Sequence, residues 1–229
     1  MTRLLPAIAA TTLLIGGGAL YLNSQAGSDV LPLAAQAQEA DAQGDQAEAG
    51  AESVEITEMT MGNPDADVQV IEYASFTCPH CQSFHETVFP DLKADYIDTD
   101  KIEFVYREVY FNNDRPSLWA SMVARCGGEM RFFGIVDMLY DNQRDWVQGE
   151  PAEIADNLRA IGRKAGLNNE QLDACLTDGA KAQELVSWFG QNAEEHGINS
   201  TPSFVINGET YSNMSYEDFS GILDEQLGE

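Results

Sequence analysis

The 229-residue chain is 44% hydrophobic and 9% aromatic, enough apolar material for one cored domain with a sizeable insertion or for two small domains, and not the composition of a disordered protein. Twelve Lys and Arg residues stand against 38 Asp and Glu, a formal charge of −26 that opposes non-specific attachment to nucleic acid or to an anionic bilayer. The acidity reads as a well-solvated surface and carries no catalytic meaning.

Arg3 precedes an uncharged, Gly-rich apolar run from Leu4 to Leu22, and Ala35-Gln36-Ala37 offers a small-residue cleavage site. That order is the order of an export signal, so residues 1–37 are a signal peptide or, if uncleaved, an N-terminal membrane anchor. Either outcome puts the remainder in the periplasm or another extracytoplasmic space, where an even number of cysteines persists as disulfides. Residues 38–58 carry seven acidic side chains, no Lys or Arg and little periodicity, and read as an acidic flexible linker.

Residues 59–229 form the folded part. Val68 to Ala74 is a short apolar run expected to be a central strand. It leads through Ser75-Phe76-Thr77 into Cys78-Pro79-His80-Cys81. Pro79 suits the first turn of a helix, and Phe84, Val88 and Leu92 recur at fourfold spacing with Pro90 interrupting, so this helix is expected to kink or restart there. Ile102 to Val109 reads as a second strand, parallel to the first because a helix intervenes. From about 115 to 195 the spacing is helical, broken at Gly127-Gly128, Gly149-Glu150-Pro151 and Gly166. Strand character returns at Ser203 to Ile206, Asn207-Gly208 marks a hairpin, and a helix from about Tyr216 to Leu227 closes the chain. Trp119, Trp146, Trp188 and Phe132-Phe133 are expected in the core of the helical block.

Strand, helix, strand, helical interruption, hairpin and helix is the order of an α/β thioredoxin fold with an inserted α-helical subdomain. The run Val70-Ile71-Glu72-Tyr73-Ala74-Ser75-Phe76-Thr77-Cys78-Pro79-His80-Cys81, the strand end Tyr106-Arg107-Glu108, and Ser200-Thr201-Pro202-Ser203-Phe204-Val205-Ile206-Asn207-Gly208 resemble the DsbA family of exported thiol-disulfide oxidoreductases. The resemblance runs from about Val54 to the C-terminus. It implies action on reduced cysteines of exported proteins and reoxidation by a membrane partner of the quinone-linked DsbB type; a monomer is expected because the acidic segment lacks a heptad pattern, and no cofactor is expected beyond the redox-active disulfide.

The chemistry needs a stabilised thiolate, because the thiolate is both the attacking and the leaving species in disulfide exchange. Cys78 at a helix N-terminus meets unpaired main-chain N–H groups and the positive end of the helix dipole, and His80 can add a hydrogen bond or a charge. A stabilised thiolate favours the reduced enzyme and makes the oxidised enzyme a disulfide donor; DsbA is itself the standing example of this effect. Cys81 leaves first and returns on reoxidation. Glu72 shares a strand face with Val68, Val70 and Ala74, which puts a carboxyl among apolar neighbours, where it is expected to relay the Cys81 proton; an exposed strand-end carboxylate is the alternative.

Thr201-Pro202 resembles the cis-proline loop that faces the dithiol in thioredoxin-like folds, and its main chain is expected to pair with an extended substrate. Thr before this proline departs from the best-known oxidases and is similar to isomerase relatives, so an isomerase or reductase with the same dithiol stands as the alternative. Cys126 and Cys175 fall on helical faces turned into the insert, and a structural disulfide between them is expected. A zinc or copper module using Cys78, Cys81 and His85 at i, i+3 and i+7 is the rival from another class. No metal is assigned, and His85 is read as a polar face residue.

Overall fold

The computed structural model describes residues 55–229; the leader and most of the acidic segment lie outside the described residues. Strand β1 (Met59–Gly62) precedes β2 (Gln69–Ala74) and α1 (Pro79–Thr87). Helix α2 (Phe89–Leu92) is prolonged by a π turn over Lys93–Ile97, followed by β3 (Glu103–Glu108). Five helices come next, α3 (Arg115–Cys126), α4 (Glu129–Asp141), α5 (Gln143–Trp146), α6 (Pro151–Lys164) and α7 (Asn169–Thr177). The chain ends with α8 (Gly179–Glu195), β4 (Ser203–Ile206), β5 (Glu209–Ser212) and α9 (Tyr216–Leu227).

The strand order is β1-β3-β2-β4-β5, with β2 and β3 parallel and the other pairs antiparallel. Strand β2 is therefore central and buried on both faces, which is why its sequence is nearly continuous in apolar residues. Val70, Phe104, Tyr106 and Phe204 pack on one face with Phe84, Leu92 and Phe219, while Ile71, Tyr73, Val105 and Val205 pack on the other with Ala193 and Ile198. Asn207 (φ 47°) and Gly208 (φ 87°) take the two left-handed positions of the β4–β5 hairpin, conformations that Asn and Gly adopt with least strain. Helix α1 stops at Thr87 because Pro90 cannot donate to residue 86 and its ring crowds that carbonyl; the chain restarts as α2 with Pro90 in its first turn.

The fold differs from the sequence expectations at β1, at the ends expected for the linker and the insert, and at Trp188. Strand β1 was not anticipated, since Met59-Thr60-Met61-Gly62 is too short to show a period. It exists because β3 offers a free edge, pairing Met59 with Tyr106, and because Gly62 at φ 82° lets the chain pass where a Cβ would lie 2.3 Å from the Ile102 carbonyl oxygen. The linker does not extend to 58. Ile56 is buried with Tyr110, Met122 and Leu185, the Thr57 carbonyl accepts from Arg125 Nη1 at 2.8 Å, and Glu58 pairs with Arg107 at 2.6 Å.

Nor does the insert reach 195. The face of α8 bearing Phe189 and Ala193 covers the second side of the sheet, so α8 is part of the thioredoxin-like unit and the insert comprises α3 to α7. Trp146 is buried in the insert, but Trp188 lies on α8 between two guanidinium groups, 5.5 Å from Arg107 and 5.4 Å from Arg125.

Candidate active site

The parallel register of β2 and β3 places the loop Ser75–Thr77 and the start of α1 at the C-terminal edge of the sheet, beside the insert. Cys78 is the N-cap of α1, at φ −77° and ψ 119°, with Pro79 at the first helical position. A cap in this conformation leaves the first helical N–H groups facing its own side chain, and Pro79 costs nothing there because its missing donor would be unpaired. Cys78 is half-buried, Cys81 is buried, and the two are unbridged; Pro79 and His80 are exposed.

The two thiols differ sharply in acidity. Cys78 is held down at about 5, first by a hydrogen bond from the Cys81 thiol and then by Thr201 and by main-chain N–H groups of Cys81 and His80, against the opposing effect of partial burial. Thr201 acts in both directions. Its carbonyl oxygen lies 3.4 Å from Cys78 Sγ and can accept only from the neutral thiol, whereas its side chain favours the anion. The downward pull prevails because Cys81 and two main-chain donors act with the Thr201 side chain. Cys81 is pushed well above the ordinary thiol range by burial, by Cys78 and by the charge of Glu72.

Glu72 is fully buried, on the sheet face of Val70 and Ala74. Its partner is His85, whose Nε2 sits 3.1 and 3.0 Å from the two carboxylate oxygens. The His85 side chain is 4% exposed, so it is an inward residue and not the polar face residue expected from the sequence. The signal was present: His85 lies four residues beyond Cys81, and a helix that buries one buries the other. The ring stacks on Tyr140 at 4.3 Å and 20°, and its Nδ1 has no hydrogen-bond partner in the protein. Among the described residues no three His, Cys, Asp or Glu side chains converge as a metal site would require.

The Thr201–Pro202 peptide is cis and brings the Thr201 main chain against Cys78. Across the insert, Cys126 and Cys175 are joined by a disulfide that ties the end of α3 to α7. Sequence reasoning missed the polar residues that grip the dithiol loop. Ser117 Oγ accepts from Phe76 N at 3.1 Å, Asp114 accepts from Thr77 and Ser75, and Gln143 donates to the carbonyls of Phe76 and Cys78. All three come from the insert, more than 30 residues away, and no local pattern distinguishes them from ordinary helix-start residues.

A family model described as Thioredoxin matches residues 54–225. A Rickettsia bellii protein named for protein-disulfide oxidoreductase activity is 35% identical over 77% of this chain and 67% of its own length, and a Rickettsia typhi relative of the same description is 33% identical over 76% and 63%. The chain thus spans about two thirds of the length of these relatives. Among solved structures, α-DsbA1 of Wolbachia pipientis superposes with a TM-score of 0.68 at 26% identity, covering 76% of this chain and 93% of that one.

Proposed function

The chain belongs to the DsbA-like thiol:disulfide oxidoreductases of the thioredoxin family, and on that premise we propose that it is a periplasmic dithiol oxidase that donates the Cys78–Cys81 disulfide to reduced cysteines of exported proteins. The observation that carries this reading is the opposed acidity of the two thiols. A Cys78 anion near neutral pH stabilises the reduced enzyme, and whatever stabilises the reduced form makes the disulfide form a stronger oxidant.

A substrate thiolate attacks Cys78 Sγ, the Cys78–Cys81 bond breaks, and Cys81 departs with the electron pair. The second substrate thiolate then attacks the substrate sulfur of the mixed disulfide, and Cys78 leaves as the anion. Two substrate thiols are oxidised and one enzyme disulfide is reduced; a membrane partner of the DsbB type restores it. The main chain around Thr201–Pro202 aligns the incoming segment beside Cys78.

Cys81 needs a proton as it leaves, since burial and the Glu72 charge both oppose its anion. The Glu72–His85 pair supplies it from a proton shared between carboxylate and imidazole, and is left as carboxylate and neutral imidazole. Behind the pair a depression of about 310 Å³, lined by His85, Asp137 and Tyr140 among others, leads toward solvent and lets the pair recover its proton.

The test is the equilibrium of the purified protein with a glutathione buffer, read by trapping free thiols. A potential well above that of thioredoxin, about −270 mV, is expected. A value at or below it rejects the oxidase assignment and favours a reductase.

A further inference from the structure

Two buried glutamines join the insert to the dithiol loop, and each donates across the junction. Gln143, the first residue of α5 and 3% exposed, spends both Nε2 hydrogens on the loop, at 2.8 Å to the Phe76 carbonyl and 3.0 Å to the Cys78 carbonyl. Gln82 in α1, 4% exposed, donates in the opposite sense to the Tyr140 carbonyl at 3.1 Å. The Tyr140 hydroxyl adds a third link, reaching the Ser75 carbonyl at 3.4 Å.

The consequence for Cys78 is that both of its main-chain polar atoms are tied. Its N–H donates to the Ser75 carbonyl at 3.1 Å, and its carbonyl accepts from Gln143 and from the Gln82 N–H at 3.1 Å. Pro79 fixes the next φ and adds no donor. The backbone of Cys78 is therefore confined to the extended cap conformation, and only χ1 remains to place the sulfur. Gln143 is suited to the task by its chemistry. It brings two donors on one nitrogen, without a charge that would have to be desolvated; Glu would repel both carbonyls, and Asn is one methylene short.

We infer that Gln143 is a positioning residue for Cys78: by holding the Cys78 carbonyl it keeps the sulfur at the N-terminus of α1, and through it the helical insert sets the redox poise of the dithiol. The inference rests on Cys78 being the ionising thiol and holds for either direction of exchange.

Gln143→Met keeps the length and apolar stem while removing both donors. In the reduced protein, the Cys78 midpoint read by thiolate absorbance at 240 nm is expected to rise by about one unit. The glutathione equilibrium is expected to shift about tenfold toward the enzyme disulfide, equivalent to 29.6 mV. Gln82→Met breaks the junction from the other side and is expected to lower the melting temperature while leaving the midpoint in place. If Gln143→Met lowers the melting temperature but moves neither midpoint nor equilibrium, the residue is merely structural and the inference is overturned.

The unaltered protein provides a second measurement that needs no variant to fold. The Gln143 side-chain amide resonance is expected to titrate with Cys78 in the reduced protein and to be flat through that range in the oxidised one; a resonance that ignores Cys78 ionisation overturns the inference. An ordinary midpoint near 9 in the unaltered protein would reject the thiolate reading separately, while the difference between the two proteins still decides the role of Gln143.

Discussion

Lowering the pH from 7 to 4 removes the Cys78 anion from the reduced protein and leaves the disulfide form with nothing to titrate at that sulfur. The folded thiol ionises at about 5 against 9.0 for the unperturbed group, so its value is depressed by folding. A depressed acid contributes stability that is complete above the unfolded value and is lost as pH falls through the folded one. At pH 7 two of the four units are realised, which at 1.36 kcal/mol per unit is about 2.7 kcal/mol. Cys78 is only half-buried, and solvent on its open side reduces this to about 1–2 kcal/mol. For a domain of this size each kcal/mol moves the melting temperature by about 2–4 °C. Thermal melts of the reduced and oxidised forms, recorded in parallel from pH 4 to pH 7, are therefore expected to show the reduced form gaining about 2–8 °C relative to the oxidised form as pH rises. Carboxylates common to both forms cancel in the difference. A gap that does not change across this range, or that changes only above pH 8, refutes the argument that Cys78 is a stabilised anion.

Three further outcomes are expected. Replacing Cys126 and Cys175 by Ala opens a loop with a sequence separation of 49; denaturant unfolding should register a loss of about 4 kcal/mol by the chain-entropy account, with the Cys78 titration unmoved. Arg125→Met leaves the fully buried Glu108 carboxylate without the guanidinium that now donates to it at 2.6 and 2.7 Å, and a cost of about 3–5 kcal/mol in the same assay is expected. Glu72→Gln removes the acid beside Cys81 and is expected to slow stopped-flow reduction of the enzyme disulfide about a hundredfold; an unchanged rate would mean that Cys81 takes its proton by another route.

Much of this molecule is written in local patterns. The short apolar run before Cys78, the Asn207-Gly208 step and the glycine breaks in the helical block each act over a few residues. Such signals survive in the sequence because they arise from backbone sterics and side-chain periodicity alone. The reacting pair was legible for the same reason, since a disulfide loop and a helix start are both matters of four adjacent residues. Burial of Glu72 also followed from alternation along one strand.

What surrounds the pair was not legible. His85 became the partner of Glu72 because the inward face of α1 is laid across β2. The grip of Asp114, Ser117, Tyr140 and Gln143 on Ser75 to Cys78 joins residues 37 to 67 positions apart, from Thr77–Asp114 to Phe76–Gln143. Likewise Ile56, Thr57 and Glu58 belong to the domain only because Arg107, Arg125 and a shared apolar pocket wait for them. Hydrogen bonds and ion pairs act over about 3 Å in space and carry no memory of separation along the chain, so packing alone determined which side chains meet at Cys78.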